Sequence, residues 1–106
     1  MRIKPGVQID GMRTEALLGA CVVDGVLRLR GSECIITSVK DGKHMVGSLH
    51  DKGRAFDCRT SQFRSPNLLP QIAQECREAL GPEFDVVLET DHLHVEWDPE
   101  SLKGKP

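Results

Sequence analysis

Two short stretches of this chain hold the residue types of a hydrolytic metal site. The first is Ser48 to Asp57, Ser-Leu-His-Asp-Lys-Gly-Arg-Ala-Phe-Asp. The second is Glu89 to Trp97, Glu-Thr-Asp-His-Leu-His-Val-Glu-Trp. Together they offer His50, Asp57 and His94 as three ligands and Asp91 or Glu89 as a base. Zinc is borderline in hardness and takes imidazole nitrogen and carboxylate oxygen. Three protein ligands leave a fourth position for water, and a neighbouring carboxylate can accept the water's proton.

The spacing restricts the elements that can carry these groups. His50 and Asp57 are seven residues apart, which does not fit the i, i+4 spacing of one helix face. It fits a loop residue and a strand residue that return to each other across a turn. Gly53 supplies that turn, because glycine reaches positive φ freely. Ala55 is small and lets backbone or ligand approach. Ser48 is placed to hydrogen-bond the loop or a ligand carboxylate. Taken alone, Ser-Leu-His-Asp-Lys-Gly reads as a polar surface turn, and the second segment shifts that balance. In a strand, His92 and His94 point to the same face, so one can reach a metal while the other sits in the pocket.

The surrounding elements follow from periodicity. Arg13 to Leu29 has apolar residues at Ala16, Leu17, Ala20, Cys21, Val23 and Leu27, the spacing of a helix packed on one face, with Gly31 as its stop. Gly19 and Gly25 each weaken that helix by about 1 kcal/mol relative to alanine. Cys34 to Val39 is short, apolar and β-branched, so it is a strand. Lys40 to His50, with Gly42 and Gly47, is a loop. Arg54 to Arg59 alternates as a strand that turns Asp57 away from Phe56. Ser65-Pro66 starts a helix, with serine as N-cap and proline at the first helical position. Leu68, Leu69, Ile72, Cys76, Ala79 and Leu80 form its apolar face, and Gly81-Pro82 ends it. Phe84 to Leu88 and Leu93 to Trp97 are strands joined at Thr90-Asp91. The expected fold is α+β, a small mainly antiparallel sheet with two main helices, in a single domain over residues 1–106.

Bulk composition excludes other classes. With 106 residues, 28% charged and a formal net charge of −2, the chain has no basic excess for a nucleic acid or an anionic membrane. Aromatics are 4% and tyrosine is absent, so the core is mostly aliphatic. The longest apolar stretch, Ala16 to Val23, is too short to span a bilayer. Met1 to Gly6 lacks the apolar region of a signal peptide. The four cysteines, Cys21, Cys34, Cys58 and Cys76, form no Cys-x-x-Cys pair and read as buried free thiols.

The first segment resembles the Ser-x-His-x-x-Gly-x-Ala-x-Asp motif of the zinc D-alanyl-D-alanine peptidases, with every fixed position present. That fold is shared by D-Ala-D-Ala carboxypeptidases and dipeptidases, phage L-alanyl-D-glutamate endopeptidases and the Hedgehog signalling domain. Asp91-His92-Leu93-His94 resembles their Asp-x-x-His motif. The resemblance spans roughly Ile35 to Trp97. It implies one zinc ion held by His50, Asp57 and His94, Asp91 as general base with Glu89 as rival, and His92 as a pocket histidine that stabilises the oxyanion. Thr37-Ser38-Val39-Lys40 stands where many members have Thr-Ser-Gly-Tyr-Arg, so Lys40 replaces a substrate-binding arginine with a point charge. Ser48 and Lys40 are then substrate-side residues, and His44 lies at the rim.

The implied activity is hydrolysis of peptidoglycan stem peptides, of either the L-Ala-D-Glu endopeptidase or the D-Ala-D-Ala carboxypeptidase type. Small size and the missing signal resemble phage or prophage lysis enzymes, made in the bacterial host cytoplasm and released to the wall by a partner such as a holin. The alternative of another class is a zinc-bearing but inactive binding or structural module of the same fold.

Overall fold

The computed structural model describes residues 1–39 and 52–99. Over these the chain is α+β, with two main helices and a five-stranded, mostly antiparallel sheet. The elements are β1 (Arg2–Ile3), α1 (Thr14–Arg28), β2 (Ile35–Ser38), β3 (Ala55–Arg59), a short 3-10 turn (Pro66–Leu68), α2 (Leu69–Leu80), β4 (Phe84–Leu88) and β5 (His92–Trp97). The strand order is β1-β2-β3-β5-β4, and only the β1–β2 pair is parallel. No helix among the described residues is long and apolar enough to cross a membrane.

Both helices cover one face of the sheet. Ala20, Val23 and Leu27 of α1 and Ile72, Ala73 and Cys76 of α2 pack with Ile36, Phe56, Cys58, Val86, Leu93 and Val95 in one buried cluster. Strand residues alternate between faces, so Asp57, His92, His94 and Glu96 fall on the face away from the helices. The buried stripe of α1 is Ala16, Gly19, Ala20, Val23 and Leu27. Leu17 and Cys21, assigned to that stripe from spacing, are exposed instead. They sit one position beyond Ala16 and Ala20, about 100° around the helix. The other three cysteines are buried, and all four are free. Gly19 has a packing reason, since a Cβ there would stand 2.6 Å from the Phe84 ring of β4.

The start of α2 departs from the sequence expectation. Ser65 makes no side-chain cap bond, and Pro66–Leu68 form a 3-10 turn before the α-helix begins at Leu69. Pro70 explains the delay. In an α-helix begun at Pro66 it would be interior, lacking the N–H that should bond the Pro66 carbonyl and pressing its ring on that carbonyl. The 3-10 turn lets the Leu69 amide take the Pro66 oxygen, and Pro70 then falls in the first turn of α2, where no N–H is needed. Ala79 and Leu68, placed on the apolar face of α2, are also exposed. Gly81 ends the helix as expected, at φ 87 with its amide bonding Arg77.

Candidate metal centre

Strand β5 is interior, flanked by β3 and β4, and its register places each polar residue. His94 lies opposite Asp57 on β3 and Val87 on β4; His92 lies opposite Arg59; Glu96 lies opposite Ala55 and Asp85. Leu93 and Val95 drive this placement. Both are essentially fully buried under the helices, so the alternate positions 92, 94 and 96 must face the other way.

The approach to Asp57 is built by two glycines. Gly53 has φ 72, and a Cβ there would collide with the Gly11 carbonyl oxygen. The Arg13 amide donates to the Gly53 carbonyl at 2.8 Å. The segment before α1 is thereby pinned to the turn before β3. Arg54 then locks the start of β3 to the end of β5. Its guanidinium donates to Asp98 at 2.9 Å and to the Trp97 carbonyl at 3.1 Å, and lies 5.6 Å from the centre of the Trp97 ring. Ala55 is fully buried.

These elements bring Asp57, His92 and His94 together. Asp57 Oδ1 is 3.2 Å from His94 Nδ1 and 3.7 Å from His92 Nε2. The other ring nitrogens also meet carboxylates: His92 Nδ1 is 2.7 Å from Asp91, and His94 Nε2 is 2.8 Å from Glu96. The result is one polar row, Asp91–His92–Asp57–His94–Glu96. The hydrogen bond to Asp57 raises the His94 pKa above the ordinary 6.5; burial opposes it, and Glu96 adds to the rise. The hydrogen bond from His92 lowers the Asp91 pKa below its ordinary value, so Asp91 is a carboxylate at neutral pH.

Asp57 and His94 offer a carboxylate oxygen and an imidazole nitrogen, donor types that zinc accepts. Two ligands each about 2.0–2.2 Å from a tetrahedral ion stand roughly 3.3–3.6 Å apart. The Asp57–His94 separation of 3.2 Å lies close to that edge. Of the other residues singled out from sequence, Asp91 is at the β4–β5 turn beside His92, with its side chain 80% exposed. Glu89 is exposed at the same turn, and among the described residues its side chain has no hydrogen-bond partner. Lys40, His44, Ser48 and His50 lie outside the described residues.

Sequence reasoning misses the one group of three ligand-type side chains that lies mutually close among the described residues. Asp85, Glu96 and Asp98 each bring a carboxylate oxygen within 4.8 Å of the others, close enough to hold a metal ion. Only the β4–β5 register reveals it, by setting Asp85 opposite Glu96. Two of its members already have cationic or imidazole partners, Asp98 in Arg54 and Glu96 in His94. It also misses β1, which is only two residues long and has no period to detect.

No family model matches the chain, and no curated protein matches it.

Proposed function

We propose that this protein is a zinc-dependent peptidase that hydrolyses peptidoglycan stem peptides, of the kind found in the D-Ala-D-Ala peptidase and Hedgehog fold. The observation that carries the reading is the placement of Asp57 and His94, 37 residues apart in two separate motifs, directly opposite each other on adjacent strands with ligand atoms at 3.2 Å. The third ligand in this reading is His50, from the motif Ser48 to Asp57.

A bound zinc ion supplies Lewis acidity toward the scissile carbonyl and lowers the pKa of water from 15.7 toward about 7. Asp57 and His94 would hold it, and their half-buried position on an interior strand pair keeps their geometry fixed. Asp91 accepts the proton of the attacking water, directly or through the His92 ring it is bonded to, and returns it to the leaving amine. Its charge at neutral pH and its exposed position at the turn suit it for that traffic. Asp91 also sets the tautomer of His92 by accepting from Nδ1, which directs Nε2 toward the ligand cluster. Once its Nε2 has taken up the proton of the attacking water, His92 donates from that nitrogen to the developing charge on the carbonyl oxygen. Glu89 has no such link, so Asp91 is the better base. Ser48 and Lys40 hold the peptide. In this reading the protein is a lysis enzyme of a phage or prophage, released from the host cytoplasm to the wall through a partner such as a holin.

Digestion of purified muropeptides, read by mass spectrometry with and without chelator, tests the proposal. The expected result is a single defined cleavage that chelator abolishes and zinc restores. Intact muropeptides at stoichiometric zinc loading would overturn it.

A further inference from the structure

We propose that Arg59 and Lys4 form an anion subsite that takes a free carboxylate of the bound peptide next to the cut. The inference rests on the hydrolytic reading above and deepens it. A cleft of about 370 Å³ opens beside the metal centre, lined by Lys4, Thr37, Arg59, Ser61, Asp91 and His92. Its size suits one amino-acid residue, not a second protein chain.

Each wall has a structural cause. Arg59 is two residues after Asp57, so it shares Asp57's face, and it lies directly opposite His92. Arg59 is half-buried as a residue, yet among the described residues its guanidinium has no hydrogen-bond or ion-pair partner. Other arginines of the chain are engaged: Arg28 by Asp24, Arg30 by Glu75, Arg54 by Asp98 and Arg77 by the Val86 carbonyl. A partly desolvated guanidinium without a partner is costly unless an anion joins it. Lys4 arrives from the opposite side. The parallel pairing of β1 with β2 and the bond from the Lys4 amide to the Ile36 carbonyl, 2.9 Å, carry it to the cleft. The register of β2 against β3 slips between Ile36 and Ser38, a bulge that turns Thr37 into the cleft while Ser38 stands opposite Asp57.

The lining selects the ligand. Two cations and two hydroxyls, Thr37 and Ser61, are a donor set for a carboxylate, and the planar fork of arginine matches it in two-point fashion. Among the described residues Asp91 is the only carboxylate lining the cleft, and its oxygen is bonded by His92. The contact with His92 places the bound carboxylate adjacent to the ligand cluster, so the subsite positions the residue flanking the scissile bond.

The test uses zinc-loaded protein and two synthetic stem peptides that differ only in a carboxylate or carboxamide on the residue beside the cut. Wild type should prefer the acid by about 10–100-fold in kcat/KM, expressed mainly in KM. Arg59→Ala should bring that preference to within about 2-fold, and Arg59→Lys should recover part of it. Equal cleavage of both peptides by wild type, or an unchanged preference in Arg59→Ala, would overturn the subsite. If neither peptide is cut, the hydrolytic reading fails and the subsite is judged separately, by NMR titration with N-acetyl-D-alanine and its amide. Shifts of the Arg59 Nε–H signal with the acid alone support the subsite; no response to the acid overturns it.

Discussion

His94 Nδ1 and Asp57 Oδ1 stand 3.2 Å apart across the β3–β5 boundary, each directly opposite the other in the ladder. That pairing holds two ligand-type atoms close to the separation of a tetrahedral edge. Replacing His94 with Ala should therefore remove zinc, with metal stoichiometry falling from about one to near zero. Binding to the folded state alone stabilises it by about 2.7 kcal/mol at 100-fold excess over Kd. Saturating zinc should raise the melting temperature of wild type and leave that of His94→Ala unchanged. Metal analysis and a thermal scan check both.

In the proposed reading, Asp91 and the metal ligands should separate on substitution. Asp91→Asn should keep zinc at full stoichiometry while kcat drops about 10²–10⁴-fold, the usual range for a general acid–base group. Glu89→Gln should stay within a few-fold of wild type. Full activity in Asp91→Asn would move the base elsewhere.

Acidity should act oppositely on the metal-free protein and on metal affinity. The His94 pKa is raised in the folded state, chiefly by Asp57. Its stabilisation is fully present below the unfolded value of 6.5 and fades as pH rises through the higher folded value. Zinc needs the ring nitrogen free of its proton, so affinity should climb over the same interval. Thermal scans of chelated protein from pH 6 upward should show a decline that His94→Gln lacks, while zinc titrations tighten.

Two glycines predict opposite signs. Gly53→Ala forces a side chain into the Gly11 carbonyl at φ 72 and should cost at least 2 kcal/mol, since neither backbone segment can yield cheaply. Gly25 is in α1 with open space where a Cβ would stand. Gly25→Ala should stabilise by about 0.5–1 kcal/mol through helix propensity and the unfolded chain. Denaturant unfolding of both variants measures the pair.

Acid should strike a second place. Burial pushes the Asp24 carboxyl up, but hydrogen bonds from Arg28, the Cys34 amide and the Met1 ammonium outweigh it and bring the pKa down to about 2. Its contribution is present above the ordinary 3.8 and lost as pH falls toward about 2. Asp24→Asn should flatten the loss of stability between pH 4 and 2.

The sequence shows the histidine strand clearly because Leu93 and Val95 alternate with His92 and His94, a pattern only a half-buried strand produces. Asp57 is legible for the same reason between Phe56 and Cys58. What stays hidden depends on distant pairing. Nothing local says that β5 lies between β3 and β4, so the Asp57–His94 contact and the Asp85–Glu96–Asp98 group emerge only from register. Lys4 reaches the cleft by a two-residue strand, too short for any period. The error at Ser65 has a local cause that was visible, Pro70 four residues after Pro66. Arg59 carried its signal openly, two positions past Asp57 and so on its face, but whether it finds a partner among the described residues is legible only in the folded structure.

Because both imidazoles ride on β5, with a hydrogen-bonded neighbour on either side, fraying at the sheet margins leaves them in place. Amide protons of Leu93 to Val95 should rank among the slowest to exchange with deuterium, whereas those of the tip that bears Asp91 should exchange early. In the proposed reading the chain thus divides its labour between a stiff cradle and a proton carrier set on a freer corner.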